Sequence, residues 1–189
     1  MAMNPGICPE SEITYDKGIM YQKIIDFIGP KLKQPVGDVG GPNHKSKYLS
    51  EYYQTPITQI DSADLDYWIC YCEKNYRTIL CFEVMSHLVN PGLLIWNLKD
   101  LLEKDGAIYL SMPDRPRILH NKHHWNEFGG KRFEEWILRP NKLKIVRQGR
   151  IRNSHYPVKW YKQIGFRPLI RKILNHFYNY VEIYEIRHA

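Results

Sequence analysis

Two short apolar runs joined by a single helix constrain this chain more than anything else in it. Thr78-Ile79-Leu80-Cys81-Phe82 and Ala107-Ile108-Tyr109-Leu110 are too short for free-standing helices, and both are flanked by turn or helix signals. Strands apolar on both faces belong in the middle of a parallel sheet, with helices covering each side. Between the runs Asn90 precedes Pro91, a good cap followed by the residue best tolerated at the first helical position. Leu94, Leu98, Leu101 and Leu102 then recur at helical spacing, and Asp105-Gly106 is expected to end the element. Tyr76 to Pro113 therefore predicts a strand, a loop, a helix and a second strand of the same sheet, connected by a right-handed crossover.

A second informative stretch lies upstream. Pro35-Val36-Gly37-Asp38-Val39 runs into Gly40-Gly41-Pro42-Asn43-His44 and then into a helix over 45–53. A strand that enters a glycine turn and a helix lets backbone come close to a ligand, because glycine has no side chain in the way. Thr55 to Asp61 reads as the next strand, with Asp61 standing 23 positions beyond Asp38. An acid about 20 residues past such a turn is placed to accept hydrogen bonds from ribose hydroxyls. Asp64 and Asp66 stay open as alternatives, since the run from Asp61 to Asp66 admits more than one register.

The remaining elements are simpler. Residues 1–18 hold Pro5, Gly6 and Pro9 and no period, and read as a loose lead-in. Met20, Tyr21, Ile24, Ile25, Phe27 and Ile28 predict a short amphipathic helix closed by Gly29-Pro30. Only fourteen residues, Ser62 to Asn75, separate the second strand from Tyr76. A parallel crossover alone needs about a dozen, so a strand in this interval is either absent or reduced to a relic over 65–72. Strands are expected over 142–149 and 180–186, separated by an insertion over 150–179. Within it Pro168 opens a helix with Leu169, Ile170, Ile173, Leu174 and Phe177 on one face, expected to pack on its own domain.

The string Phe82-Glu83-Val84-Met85-Ser86-His87-Leu88, followed by Asn90-Pro91 and closing in Leu101-Leu102-Glu103-Lys104-Asp105-Gly106-Ala107-Ile108-Tyr109-Leu110-Ser111-Met112-Pro113, resembles the fourth and fifth strand region of class I S-adenosylmethionine-dependent methyltransferases of the small, type 11-like kind. Asp38, Gly40 and Gly41 match that family's first motif, with its later glycines replaced by Pro42, Asn43 or His44. The resemblance implies one α/β domain over 1–189, a Rossmann-like, mostly parallel sheet whose third strand is reduced or missing, and an antiparallel edge strand at the C-terminus. It also implies S-adenosylmethionine as cofactor, held by Asp38, Gly40, Gly41, Asp61, Leu65, Phe82 and Glu83. Leu65, Tyr67 and Trp68 are the apolar surface left for adenine, although Trp68 is expected in the core. The implied activity is methyl transfer to a small molecule, such as a sugar or glycan precursor.

In this chemistry the cofactor carries the activated carbon, and the protein aligns the acceptor and removes its proton. The loop after Pro113, DRPRILHNKHHWNEF, resembles small methyltransferases in which a histidine and an acid precede the next helix, here Lys131 to Ile137. His124 and His123 are the first candidates for the base, since imidazole titrates near neutrality. His87 is the third, weighed against a structural role in ordering its turn. Glu83 and Asp114 are expected to shape the site rather than react.

Composition narrows the alternatives. No apolar run approaches the roughly 20 residues that cross a bilayer, and the N-terminus lacks the basic start and apolar core of a secretory signal. A cytoplasmic location is the expectation, at most peripheral to a membrane through the 168–177 helix. Cys8, Cys70, Cys72 and Cys81 do not form a metal framework, and His120, His123 and His124 lack the spacing of a zinc site, so no metal is expected and the thiols are read as free and partly buried. The net charge of +7 is concentrated late: from Lys131 onward fourteen Lys or Arg face four Glu. This basic third suits an anionic partner. The competing reading is a methyltransferase-like module without turnover that holds nucleic acid or another anion, and a third, RNA methylation, predicts steeply salt-dependent binding.

Overall fold

In the computed structural model of the chain, residues 15–40, 44–60, 64–67, 75–114, 126, 130–152 and 180–189 are described. Six strands form one sheet in the order β2-β1-β3-β4-β6-β5. They are β1 (Val36–Val39), β2 (Ile57–Ile60), β3 (Tyr76–Phe82), β4 (Leu102–Asp114), β5 (Leu143–Arg152) and β6 (Tyr180–His188). The first four are parallel neighbours, and β6 pairs antiparallel with both β4 and β5. Among the described residues no strand lies between β2 and β3 in sequence, and β2 is the outermost strand of the sheet.

Helices cover both faces. On one side α1 (Tyr15–Ile28) and α2 (His44–Tyr53) bring Tyr21, Ile24, Ile25, Ile28 and Leu49 against Leu80, Phe82, Tyr109 and Ile183. On the other, α3 (Pro91–Leu101) and α4 (Gly130–Phe133) bring Leu94, Ile95, Leu98, Leu101 and Phe133 against Ile79, Cys81, Ile108, Leu110 and Tyr184. Ile79–Phe82 of β3 and Ala107–Leu110 of β4 alternate between the two clusters, which is why these runs are apolar throughout.

The central unit forms for the reasons its sequence suggests, with two corrections. Asn90 caps α3 by accepting a hydrogen bond from the Leu93 N–H at 3.3 Å, and Pro91 is the first helical residue. The helix ends at Leu101, however, and Leu102 already belongs to β4, opposite Tyr76. Its apolar side chain is buried in the core, while 103–106 bulge out before pairing resumes at Thr78–Ala107. Gly106 is needed in the bulge, because a Cβ there would lie 2.9 Å from the Glu103 carbonyl and 3.1 Å from that of Arg77. Second, β4 does not stop at Pro113 but continues to Asp114. Its pairing with β3 ends at Ser111, so Pro113 sits where only β6 still flanks the strand, an edge-like position that tolerates a missing N–H.

Smaller differences fall at the ends. The first helix begins at Tyr15, inside the stretch read as lead-in, and β5 continues through Arg152 into the stretch read as insertion. After α4 the chain passes through a π-helical turn, Glu134–Leu138, and a tight turn, Arg139–Asn141, before Lys142 takes a positive φ and β5 starts. The 168–177 helix lies outside the described residues.

Candidate functional site at the strand crossing point

The chain leaves β1 to one side to form β2 and returns on the other side to form β3. Sheets of this kind place ligands at such a reversal, beyond the carboxyl ends of the two strands. Pairing between β1 and β3 stops at Asp38–Leu80, although the strands run on to Val39 and Phe82. Beyond that point the two strands are no longer paired, and the segments that follow them define the site.

On the β1 side, Gly40 has φ +107°, a left-handed conformation that side chains rarely adopt. A Cβ on Gly40 would also lie 2.8 Å from Cγ2 of Val84, in the segment after β3. Conformation and space both require glycine here. Asp38 is buried, and its Oδ2 accepts hydrogen bonds from the Ser46 hydroxyl of α2 and from Gln59 Nε2 of β2 at 3.4 Å. Its carboxylate therefore ties β1, β2 and the helix after the glycine turn together. Oε1 of Gln59 is buried without a hydrogen-bond partner.

Across the gap, Glu83 also has a positive φ, +61°, which for a non-glycine residue is strained. Its N–H is held by the Ser111 carbonyl at 3.0 Å and approached by Ser111 Oγ at 3.2 Å. Its side chain meets Lys45, in the first turn of α2, with Nζ 2.6 Å from Oε2. Lys45 is 17% exposed at the side chain and Glu83 37%, so a partly buried ion pair links the first turn of α2 to the residue after β3.

The remaining candidates are distributed as follows. Phe82 is committed to the core beneath α1 and α2, and Leu65 packs partly buried against the opposite cluster. Asp64 Oδ1 accepts from the Asp66 N–H at 2.9 Å, closing its own turn, and Asp66 Oδ1 accepts from the Asn90 N–H at 2.6 Å, docking that turn onto the start of α3. His87 is exposed in the tight turn Met85–His87, where its N–H donates to the Val84 carbonyl at 3.0 Å. Asn126 donates its N–H to Ser86 O at 3.3 Å and its side-chain amide to Leu88 O, binding the loop after β4 to that same turn. Gly41, Asp61, Trp68, His120, His123 and His124 lie outside the described residues. Asp114 is the last residue of β4.

Lys45, Ser46 and Gln59 were not among the residues marked out by the sequence. Lys45 carried one signal: α2 opens with His44, Lys45 and Lys47 and no acid, whereas the start of a helix favours negative charge. Gln59 and Ser46 carried none, since their roles depend on which side of β1 the neighbouring elements pack. Among the described residues no group of three or more His, Cys, Asp or Glu could hold a metal ion. Cys81 is free and fully buried, and burial, together with the nearby Asp38 carboxylate, pushes its thiol far up.

The fold is that of the class I S-adenosylmethionine-dependent methyltransferases, with a mostly parallel sheet and an antiparallel C-terminal pair. A provisionally assigned methyltransferase of Bacillus halodurans C-125 matches at 11% identity with a TM-score of 0.62, over 88% of this chain and 97% of that one. Magnesium protoporphyrin IX methyltransferase of Synechocystis PCC 6803, crystallised with bound S-adenosylmethionine, matches at 15% identity and a TM-score of 0.54, over 97% and 88%. The cyclase SpnF shares the fold as well, at 11% identity and a TM-score of 0.57, over 82% and 75%. No protein-family model and no curated protein sequence matches the chain.

Proposed function

We propose that the chain is an S-adenosylmethionine-dependent methyltransferase acting on a small molecule, with a sugar or glycan precursor as the acceptor class suggested by its resemblance to small methyltransferases. The observation that carries this is the end of β1–β3 pairing beside a turn where only glycine fits, with charged side chains of both signs next to it. When bound, the cofactor supplies an electrophilic methyl group, and the protein's part is placement. Gly40 offers exposed backbone, and Asp38 acts as a positioning residue that fixes the turn through Ser46. Asp61, two residues beyond Gln59, is the proposed partner of the ribose, with Leu65 near the adenine. Proton removal from the acceptor falls to His124 or His123, with His87 third. Asn126, two residues after His124, is tied to the turn that carries His87.

The competing reading, a binding module without turnover, draws on two features. An ion pair links α2 to the segment after β3 beside the turn, and the same fold serves a protein whose name is that of a cyclase. Within the basic third, Arg147, Arg150 and Arg187 are paired with the buried Glu182 and Glu185, whereas Lys131, Arg132, Arg139, Lys142 and Lys144 are exposed. Among the described residues no helix is long and apolar enough to cross a membrane.

Calorimetric titration with S-adenosylmethionine and S-adenosylhomocysteine decides between these readings. The parent is expected to bind both, and Gly40→Val and Asp61→Ala are expected to abolish binding while the proteins stay folded by circular dichroism. A parent that binds neither ligand sinks the methyltransferase proposal.

A further inference from the structure

On the side of the sheet away from α1 and α2, the helical run from Gly130 to Asn141 buries Phe133 and Leu138 in the core and leaves Lys131, Arg132, Glu135, Trp136 and Arg139 exposed. These exposed positions recur three or four apart, so they share one helical face. We propose that this face, together with the outer side of α3, docks the protein on an anionic phospholipid bilayer: Trp136 and Trp96 enter the headgroup layer, and Arg132, Arg139 and Lys142 meet lipid phosphates. The inference is independent of methyl transfer and requires no cofactor.

The first observation is apolar. Trp136 is 62% exposed, Trp96 41% and Val89 67%, and all three belong to this layer of the molecule. Scattered exposed side chains need no explanation, but these lie on elements in contact. A Cβ on Gly92 would stand 4.0 Å from Cδ1 of Ile137, so α3 abuts the residue next to Trp136, with Trp96 one turn further along α3 and Val89 just before its cap. The second is charge complementarity. The Arg132 guanidinium lies over the Trp136 ring, 5.7 Å from its centroid, and Arg139 and Lys142 follow at the end of the run. Of the two acids in the segment, Glu134 is half-buried and Glu135 stands 4.0 Å from Lys131. A bilayer interface accepts both features at once, indole at headgroup depth and cations against phosphates. Single-stranded nucleic acid fits less well. Its bases would stack on ring faces, one of which Arg132 covers on Trp136, and the cations that would extend the track along β5, Arg147 and Arg150, are engaged with Glu185 and Glu182.

The test is co-sedimentation of the full chain with vesicles of phosphatidylcholine, alone or mixed with about one-third phosphatidylserine. The parent is expected to partition roughly tenfold or more in favour of the anionic vesicles, with binding that weakens as salt is raised. Trp136→Ala is expected to weaken binding by about tenfold, and Arg139→Gln by about fivefold. Lys23→Gln removes the same charge from an exposed position on α1, across the sheet, and is expected to change binding by less than about twofold. Circular dichroism melts confirm that each variant is folded. A parent that ignores anionic vesicles overturns the proposal. So does a Trp136→Ala protein that binds them as the parent does, or a Lys23→Gln loss equal to that of Arg139→Gln, which would mean diffuse attraction by net charge. Binding of the parent to labelled oligouridine that depends on Trp136, without vesicle binding, would give the surface to nucleic acid and overturn the membrane assignment as well.

Discussion

Single residues of this chain are read correctly from sequence where backbone geometry decides and missed where packing decides. Gly40 is legible because a glycine turn after a strand has few other uses, and its φ of +107° bears that out. Gly37 looks like any strand glycine, yet a Cβ there would lie 2.5 Å from Ile60 Cδ1 and 3.0 Å from a Tyr76 ring carbon. Gly37→Ala is therefore expected to lose about 1–3 kcal/mol from overpacking, measured by urea denaturation. Cys81 is silent in sequence and informative in the fold. Because burial raises its folded-state pKa, the stability it contributes is fully present below the unfolded thiol's value of about 8.5. Above that pH the unfolded chain releases a proton that the folded chain keeps, and stability falls by at most about 1.4 kcal/mol per pH unit. The stability gap between the parent and Cys81→Ala should thus narrow by about 2 kcal/mol between pH ~8 and ~10; a constant gap would contradict this account.

At the scale of elements, α3 shows what local signals can and cannot place. Its start was readable because Asn90 and Pro91 act through bonds only three residues long. Asn90→Ala is expected to cost about 1 kcal/mol and Asn90→Gly only a few tenths, measured by chemical denaturation. Equal losses would show that the capping bond contributes little. Its end was misplaced because Leu102 continues the helical spacing but is claimed by Tyr76 of a neighbouring strand, a contact that no local window contains. The same holds for β4, which outlasts Pro113 because β6 arrives from the far end of the chain to pair with it. Leu98, buried at the centre of the helix's inner face, should lose about 2–5 kcal/mol as Ala.

For the whole molecule, the sheet order sets both stability and site. The middle strands β3, β4 and β6 are flanked on both edges, and Ile79, Leu80, Ile108, Leu110 and Ile183 are fully buried, whereas Thr58 on edge strand β2 is exposed. Hydrogen exchange should therefore be slowest at the central amides and fast in β2, with S-adenosylhomocysteine selectively slowing residues 44–46. Protection in β2 equal to that in β3 would indicate that the outer edge is covered. By itself the sequence determined the class of fold, the glycine turn and the capped central helix, because apolar periodicity, φ preference and capping are properties of adjacent residues. Only the tertiary structure decided that Asp38 holds α2 through Ser46, that Lys45 meets Glu83, and that helix yields to strand at Leu102. Each of these depends on residues far apart in the chain arriving on the same side of the sheet, and the side is chosen by packing of the whole core.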